Sequence, residues 1–273
     1  MRKILLLIFY CLTQISFAFS QATKERDNIC ISIGIANPIG GFSSTELPDS
    51  KSGFAKIGES VSLCYSKPVT REWSFVAHLH AQRNPLNTSA FEKDLSQAKI
   101  YQGFYFFSDP NNPPPQTSYK IYPDWKFEKK SWLCSALLLG GQRQFNAGKP
   151  DGIHLFGRVM IGAVYANSPK ISGSSFTDVA TAHIEQSKSS AFGFAYSIGG
   201  GVNYNFTKTM FLTSSLTYFG TNQLTFKDVK ATLTTTEGSF GSPEYSVQQS
   251  AMTGNAKQII SAVNISVGIG IKL

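Results

Sequence analysis

Residues Ile259 to Leu273 alternate between two kinds of side chain for fifteen positions. Ile259, Ser261, Val263, Ile265, Val267, Ile269, Ile271 and Leu273 form one set, mostly large and branched. After Ile260, Ala262, Asn264, Ser266, Gly268, Gly270 and Lys272 form the other, small or polar. A period of two over this length is a β-strand whose faces meet different surroundings. A strand of this kind is an open edge unless it is paired, so the rest of the chain must supply strands for it to close against.

The same alternation recurs along the chain. Ile29, Ile31, Ile33 and Ile35 oppose Cys30, Ser32, Gly34 and Ala36, and Pro38 with Gly40-Gly41 ends that strand. A second strand over 54–66 carries Ile57, Val61, Leu63 and Tyr65 on one face, interrupted by Glu59. A tight turn at Lys67-Pro68 leads to a third, where Trp73, Phe75, Ala77, Leu79 and Ala81 oppose Ser74, Val76, His78, His80 and Gln82. Strand four covers 131–145, with Leu133, Leu137, Leu139 and Phe145 as its outer set. Strand five begins at Ile153 after a turn at 146–152, and strand six alternates from Phe192 to Phe206. After a turn at Thr207-Lys208, strand seven carries Met210, Leu212, Leu216 and Tyr218.

With the closing strand this makes eight. Long connections at about 41–52, 84–130, 168–190 and 227–257 take turns with short ones, so all long loops leave one end of the assembly. The sequence therefore predicts an all-β fold, an eight-stranded antiparallel up-and-down transmembrane β-barrel with short periplasmic turns and longer extracellular loops. Ten strands is the alternative, with 99–107 and 118–127 also crossing. Phe104 to Phe107 have no clean face, which favours a folded loop tipped by Pro110 to Pro115.

Residues 1–22 read as a secretory signal: Arg2 and Lys3, the apolar run Leu5 to Leu12, then small residues from Ser16 to Ala22. The run is too short for a spanning helix, and Cys11 lacks the setting of a lipid-attachment cysteine. Residues 23–273 then form the barrel domain. The net charge of +8 falls only slightly on removing two bases, and its scatter argues against nucleic acid. Charged residues make up only 15% of the chain, and the small face holds Gly, Ser, Ala, Cys and Asn where a secreted soluble barrel would show Lys and Glu to water. The large residues are therefore expected to face lipid. Tyr65, Trp73, Tyr204 and Phe206 at the turn ends, with Tyr165, Phe192, Trp132 and Tyr218 at the loop ends, are expected to form interfacial girdles.

The alternating segments, Gly40-Gly41, the Lys67-Pro68 turn and the ending Val267 to Leu273 resemble the small OmpA/OmpX-like outer-membrane barrels of Gram-negative bacteria, in the porin superfamily. The resemblance covers 29–273. It implies residence in the outer-membrane bilayer and a last strand read by the barrel-assembly machinery. Such signals usually end in an aromatic residue, and Leu273 departs from that. The resemblance carries over no catalytic motif.

Three groups of residues are candidates for chemistry. Cys30 and Cys64 lie on adjacent strands facing the lumen and either bridge or simply fill space, since opposed strand cysteines make strained disulfides. Cys134 stands apart near the other end of its strand. Glu59, His78, His80, Gln82 and Arg158 are expected to form a polar cluster in the lumen. His78 and His80 have no evident third ligand for a metal, so no metal or cofactor is expected. The third group is the aromatic loop with Tyr101, Phe104, Tyr105, Phe106, Phe107, Tyr119, Tyr122, Trp125 and Phe127. Its rings either present a contact surface or pack on one another. No nucleophile is marked by spacing. His183, near Asp178 and Glu185, is the one histidine in a loop and the place for a rim-located lipid-modifying enzyme. The expected role is structural or a surface interaction with an extracellular ligand, without enzymatic activity. A narrow passive channel is the alternative, supported by glycines at 193, 199, 201, 268 and 270 and opposed by the small bore of eight strands.

Overall fold

The computed structural model describes residues 26–46, 52–97, 100–101, 119–120, 124–146, 152–176, 180–238 and 245–273. The signal segment lies outside them. In chain order the first strands are β1 (Asn28–Pro38), β2 (Gly58–Pro68) and β3 (Trp73–Pro85), followed by helix α1 (Thr88–Gln97). Three two-residue strands follow: β4 (Ile100–Tyr101), β5 (Tyr119–Lys120) and β6 (Lys126–Phe127). Next come β7 (Ser131–Asn146), β8 (Ile153–Asn167), β9 (Ile171–Phe176), β10 (Ala180–Gln186) and β11 (Ser190–Asn205). The chain ends with β12 (Met210–Thr221), β13 (Leu224–Gly238), β14 (Tyr245–Gln258) and β15 (Ser261–Lys272).

Eight of these strands close a barrel in the order β1-β15-β12-β11-β8-β7-β3-β2, each pair antiparallel. The strand count and membership match the sequence reading. The ten-strand alternative fails because β4 and β5 pair only with each other, in a separate two-stranded sheet. Closure rests on β1 against β15, in register from Asn28↔Lys272 to Pro38↔Ala262. One further bond, from the Leu273 N–H to the Asp27 carbonyl at 2.7 Å, completes it.

The two faces separate as the alternation requires. Ile33 is 66% exposed and Phe192 75%, and Ile35, Leu79, Leu137, Val159, Ile198, Leu216, Ile265 and Val267 are exposed around the whole wall. A continuous apolar belt of this extent would be a liability in water and is the surface that hydrocarbon demands. Trp73, Tyr165, Tyr204 and Phe206 stand on it as girdle residues. Trp132 does not. It sits at an inward position of β7, buried, and donates its indole N–H to the Gly53 carbonyl at 2.8 Å.

Beyond the loop ends the chain builds a second layer. Strands β14-β13-β10-β9-β6 form a five-stranded sheet, with α1 beside it. The segments 168–190 and 227–257, expected as polar loops, thus carry four strands, two short (β9 and β10) and two long (β13 and β14). Part of their polar composition belongs to a strand that meets water on both sides: 251–257 of β14 is exposed throughout. Threonine-rich runs such as 232–236 still suit a strand through their branched side chains.

Candidate functional site

The barrel interior is filled. β3 sends Ser74, Val76, His78, His80, Gln82 and Asn84 inward, all buried. Gln82 Oε1 lies 3.1 Å from His80 Nε2, which places the ring proton on Nε2. The Gln82 amide donates to Asn84 Oδ1 at 3.1 Å. Asn84 Nδ2 in turn donates to the Ala36 carbonyl at 3.1 Å and the Lys56 carbonyl at 3.0 Å, tying β3 to β1 and to the first loop. Lower in the lumen, Arg158 Nη1 reaches Cys64 Sγ at 3.9 Å and Nη2 reaches Ser215 Oγ at 3.4 Å, while its guanidinium lies over the Phe156 ring. Ser215 continues to Ser266 at 2.8 Å. Four of the five residues expected in a lumen cluster are therefore inside it, as two groups around His80-Gln82 and Arg158.

Glu59 is not among them. Its side chain is 75% exposed and meets Arg83 at 3.6 Å on the outer face. It shares strand parity with Val61 and Leu63, so period two places it outside. Its height on β2, one residue from the strand's loop end, gives the charge access to water. Asn84, the most deeply bonded polar side chain of the cluster, falls at the boundary assigned to a loop in the sequence reading, and only the continued alternation past Gln82 marked it.

Cys30 and Cys64 are direct cross-strand partners and both are free thiols in this structure. Cys134 is a separate buried thiol. The His78 and His80 rings are 6.0 Å apart between centroids, and neither ring nitrogen of His78 has a hydrogen-bond partner among the described residues. Among the described residues no three His, Cys, Asp or Glu side chains converge as metal ligands.

The glycine face is not open space. A Cβ on Gly270 would run into the Phe211 ring, one on Gly193 into Leu224 and Asn222, and one on Gly201 into Phe156. These residues need glycine because larger side chains from neighbouring strands lie over them. At the loop end Phe42, Trp132 and Phe226 stack edge to face, with centroids 5.7 Å apart in each pair. Phe219, Leu224 and Ile260 are fully buried in the same cluster. An apolar core therefore stands at the loop end of the barrel. A depression of about 610 Å³ lies on the outer wall, between Leu63, Leu79, Leu137, Tyr165 and Phe192.

The aromatic loop divides. Trp125 is 2% exposed and packs with Leu95 of α1 and with Ala182 and Leu233 of the upper sheet. Phe127 joins this cluster, 5.9 Å from both Trp125 and Phe91, and Phe91 stacks on Phe54 at 4.0 Å. Trp125 and Phe127 are thus packing residues that hold helix to sheet rather than contact residues. Tyr101 and Tyr119 are cross-strand partners in the β4–β5 pair. Phe104, Tyr105, Phe106, Phe107 and Tyr122 lie outside the described residues.

His183 stands on β10 with its Nε2 3.9 Å from Glu185 Oε2. Ser174 is its cross-strand partner on β9, but no hydrogen bond joins them, and a Ser-His-acid relay depends on that bond. Asp178 lies outside the described residues. Glu185 is engaged by Lys170 at 2.6 Å, and that ammonium holds its carboxyl below the usual range.

No family model and no curated protein matches this chain. Solved structures do. The chain is similar to Neisserial surface protein A (NspA), at 9% identity over 90% of this chain and 97% of that one, TM-score 0.43. It is similar to Ail, the attachment invasion locus protein of Yersinia pestis, at 12% identity over 91% and 99%, TM-score 0.39. The outer membrane protein OprG from Pseudomonas aeruginosa gives 12% identity over 93% and 98%, TM-score 0.39. Likeness at this level says nothing of activity.

Proposed function

We propose that this protein is an integral outer-membrane barrel with a closed lumen, whose work is done by the layer standing beyond its loop ends. The packed interior supports this reading: Arg158, His78, His80, Gln82 and Asn84 occupy the bore, and the Phe42-Trp132-Phe226 cluster closes one end. A conducting path would have to displace this cluster. The upper layer supports a surface role, because it is an ordered sheet with its own apolar core at Leu95, Trp125, Ala182 and Leu233. An ordered platform held away from the bilayer presents fixed chemistry to the outside. The closing strand β15 fits delivery by the barrel-assembly machinery, and the signal at 1–22 fits export to it.

The test is conductance of the purified, refolded protein in a planar bilayer. A folded, heat-modifiable barrel that stays silent is expected. Discrete small steps in the wild-type protein would overturn the closed lumen and establish a narrow channel. For the surface role, intact cells are labelled at an engineered cysteine at Ser250 on β14. Labelling without permeabilisation is expected, and labelling only after lysis would refute it.

A further inference from the structure

We propose that the outward side of the β13–β14 hairpin, just beyond the barrel rim, binds the phosphate groups of an anionic outer-leaflet lipid. The inference rests on the membrane reading of the belt. Four lysines carry it: Lys188, Lys227, Lys230 and Lys257, all exposed. Three other basic residues near the loop ends have carboxylate partners, Lys130 with Glu128 at 3.0 Å, Lys170 with Glu185 at 2.6 Å and Arg83 with Glu59, whereas Lys56, Lys126 and Lys129 stand singly rather than in a group. Among the described residues the four lysines of the patch have no such partner.

Their arrangement is built by backbone. The Ser187 N–H donates to the Lys230 carbonyl at 2.8 Å, and the Lys230 N–H donates to Ser187 Oγ at 2.9 Å. The Ser189 hydroxyl donates to the Lys227 carbonyl at 2.8 Å. These three bonds fasten the β10–β11 turn, and with it Lys188, to the start of β13. There a bulge interrupts the ladder between Phe226 and Val229, with Asp228 at a φ of 53°. Leu224, Phe226, Val229 and Leu233 point into the core, so Lys227 and Lys230 take the opposite face. Lys257 joins them there, because it pairs with Thr225. Asp228 is the one acid in this stretch, which leaves the patch strongly positive.

The position selects the ligand. Lys257 precedes the exposed Ile259 by two residues, and Lys188 precedes Phe192 by four. At about 3.3 Å per residue along a strand, Lys257 and Lys188 stand on the order of 10 Å above the edge of the apolar belt, and Lys230, opposite Thr253, on the order of 20 Å. Long lysine stems lie along such a boundary with their charged heads in water. A ligand with acyl chains on the belt and phosphate at its head meets both surfaces at once. A soluble polyanion would meet only one.

The test uses the full chain folded in neutral detergent and titrated with a diphosphorylated glycolipid or with the same lipid after dephosphorylation, read by native mass spectrometry. Selective binding of the phosphorylated form is expected. The variant K188Q/K227Q/K230Q/K257Q should bind it about tenfold more weakly or worse, since each lysine near an anionic surface adds to the attraction. Lys208→Gln, at the opposite rim, should change nothing. Equal binding of the two lipids, or undiminished binding by the quadruple variant, would overturn the site. Displacement by inorganic phosphate at equal concentration would identify a free-phosphate site instead and overturn the lipid assignment. If the quadruple variant fails the heat-modifiability control, K227Q/K230Q carries the same test with about half the loss. A wild-type protein that stays soluble without detergent would sink the membrane reading itself, whereas a folded detergent-bound barrel blind to phosphate would sink only this site.

Discussion

Asn84→Ala is expected to be among the most damaging single truncations of a polar residue in this barrel. Asn84 is 1% exposed, donates to the Ala36 and Lys56 carbonyls and accepts from the Gln82 amide. Alanine removes three hydrogen bonds and leaves the Ala36 carbonyl and the Gln82 amide buried without replacements. At about 1 kcal/mol for each bond, and with water able to reach the part-buried Lys56 carbonyl, the loss is about 2–3 kcal/mol. With a urea slope of about 2 kcal/mol per molar, the unfolding midpoint in detergent should fall by about 1–1.5 M. The assay is tryptophan fluorescence against urea, with heat-modifiable gel mobility as an independent probe. Asn84→Asp should be no better than alanine, because its carboxylate would turn an acceptor toward two carbonyl oxygens. Adding Gln82→Ala to Asn84→Ala should cost less than the sum of the two changes, since the lost bond is shared. A midpoint shift below about 0.25 M for Asn84→Ala would refute the reasoning.

Three further outcomes follow from the same geometry. Glu59→Ala should move the midpoint by less than about 0.5 M, under about 1 kcal/mol, because its pair with Arg83 is exposed; a larger loss would mean that the carboxylate is inside the lumen. Trp125→Ala should cost the upper layer about 3–5 kcal/mol, so that limited proteolysis clips it while the barrel strands stay protected, and equal protection of both would refute its packing role. The Lys170–Glu185 pair should make β9–β10 pH-dependent. Glu185 is held below its ordinary value by the Lys170 ammonium, so the pair's contribution is present above the ordinary carboxylate value and is lost as pH falls through the lower folded one. Amide exchange across β9–β10 should quicken over that acidic window in the wild type, and Lys170→Met should remove the step.

The barrel was legible in the sequence because its wall divides two very different surroundings. Lipid on one side and a tight bore on the other force period two on every strand, from Ile29 to Ile271. The Glu59 error came from chemistry overruling parity: alternation placed it outside with Val61, and only its charge suggested the lumen. The upper layer was hidden for a related reason. Along β14 both faces meet water over 251–257, so no alternation marks it as a strand. On β13 Leu224, Phe226, Val229 and Leu233 do carry a core face, but the bulge after Phe226 shifts their spacing. Helix α1 packs only Ala90, Phe91 and Leu95 against the core clusters, too few to show a period. The aromatic contribution to packing was foreseen as one of two options for the loop, and Trp125 and Phe127 follow it.

The pairing of β1 with β15 has a consequence for how the molecule comes into being. The two strands that seal the wall lie at opposite ends of the domain, so no part of the chain made earlier can shut the ring. Until β15 arrives, β1 and β12 each keep a row of unanswered amide and carbonyl groups, a state tolerable in water but not in hydrocarbon. Insertion and closure must therefore be one event. A chain shortened by its last dozen residues should yield an adhesive open sheet of seven strands and no thinner version of the same barrel.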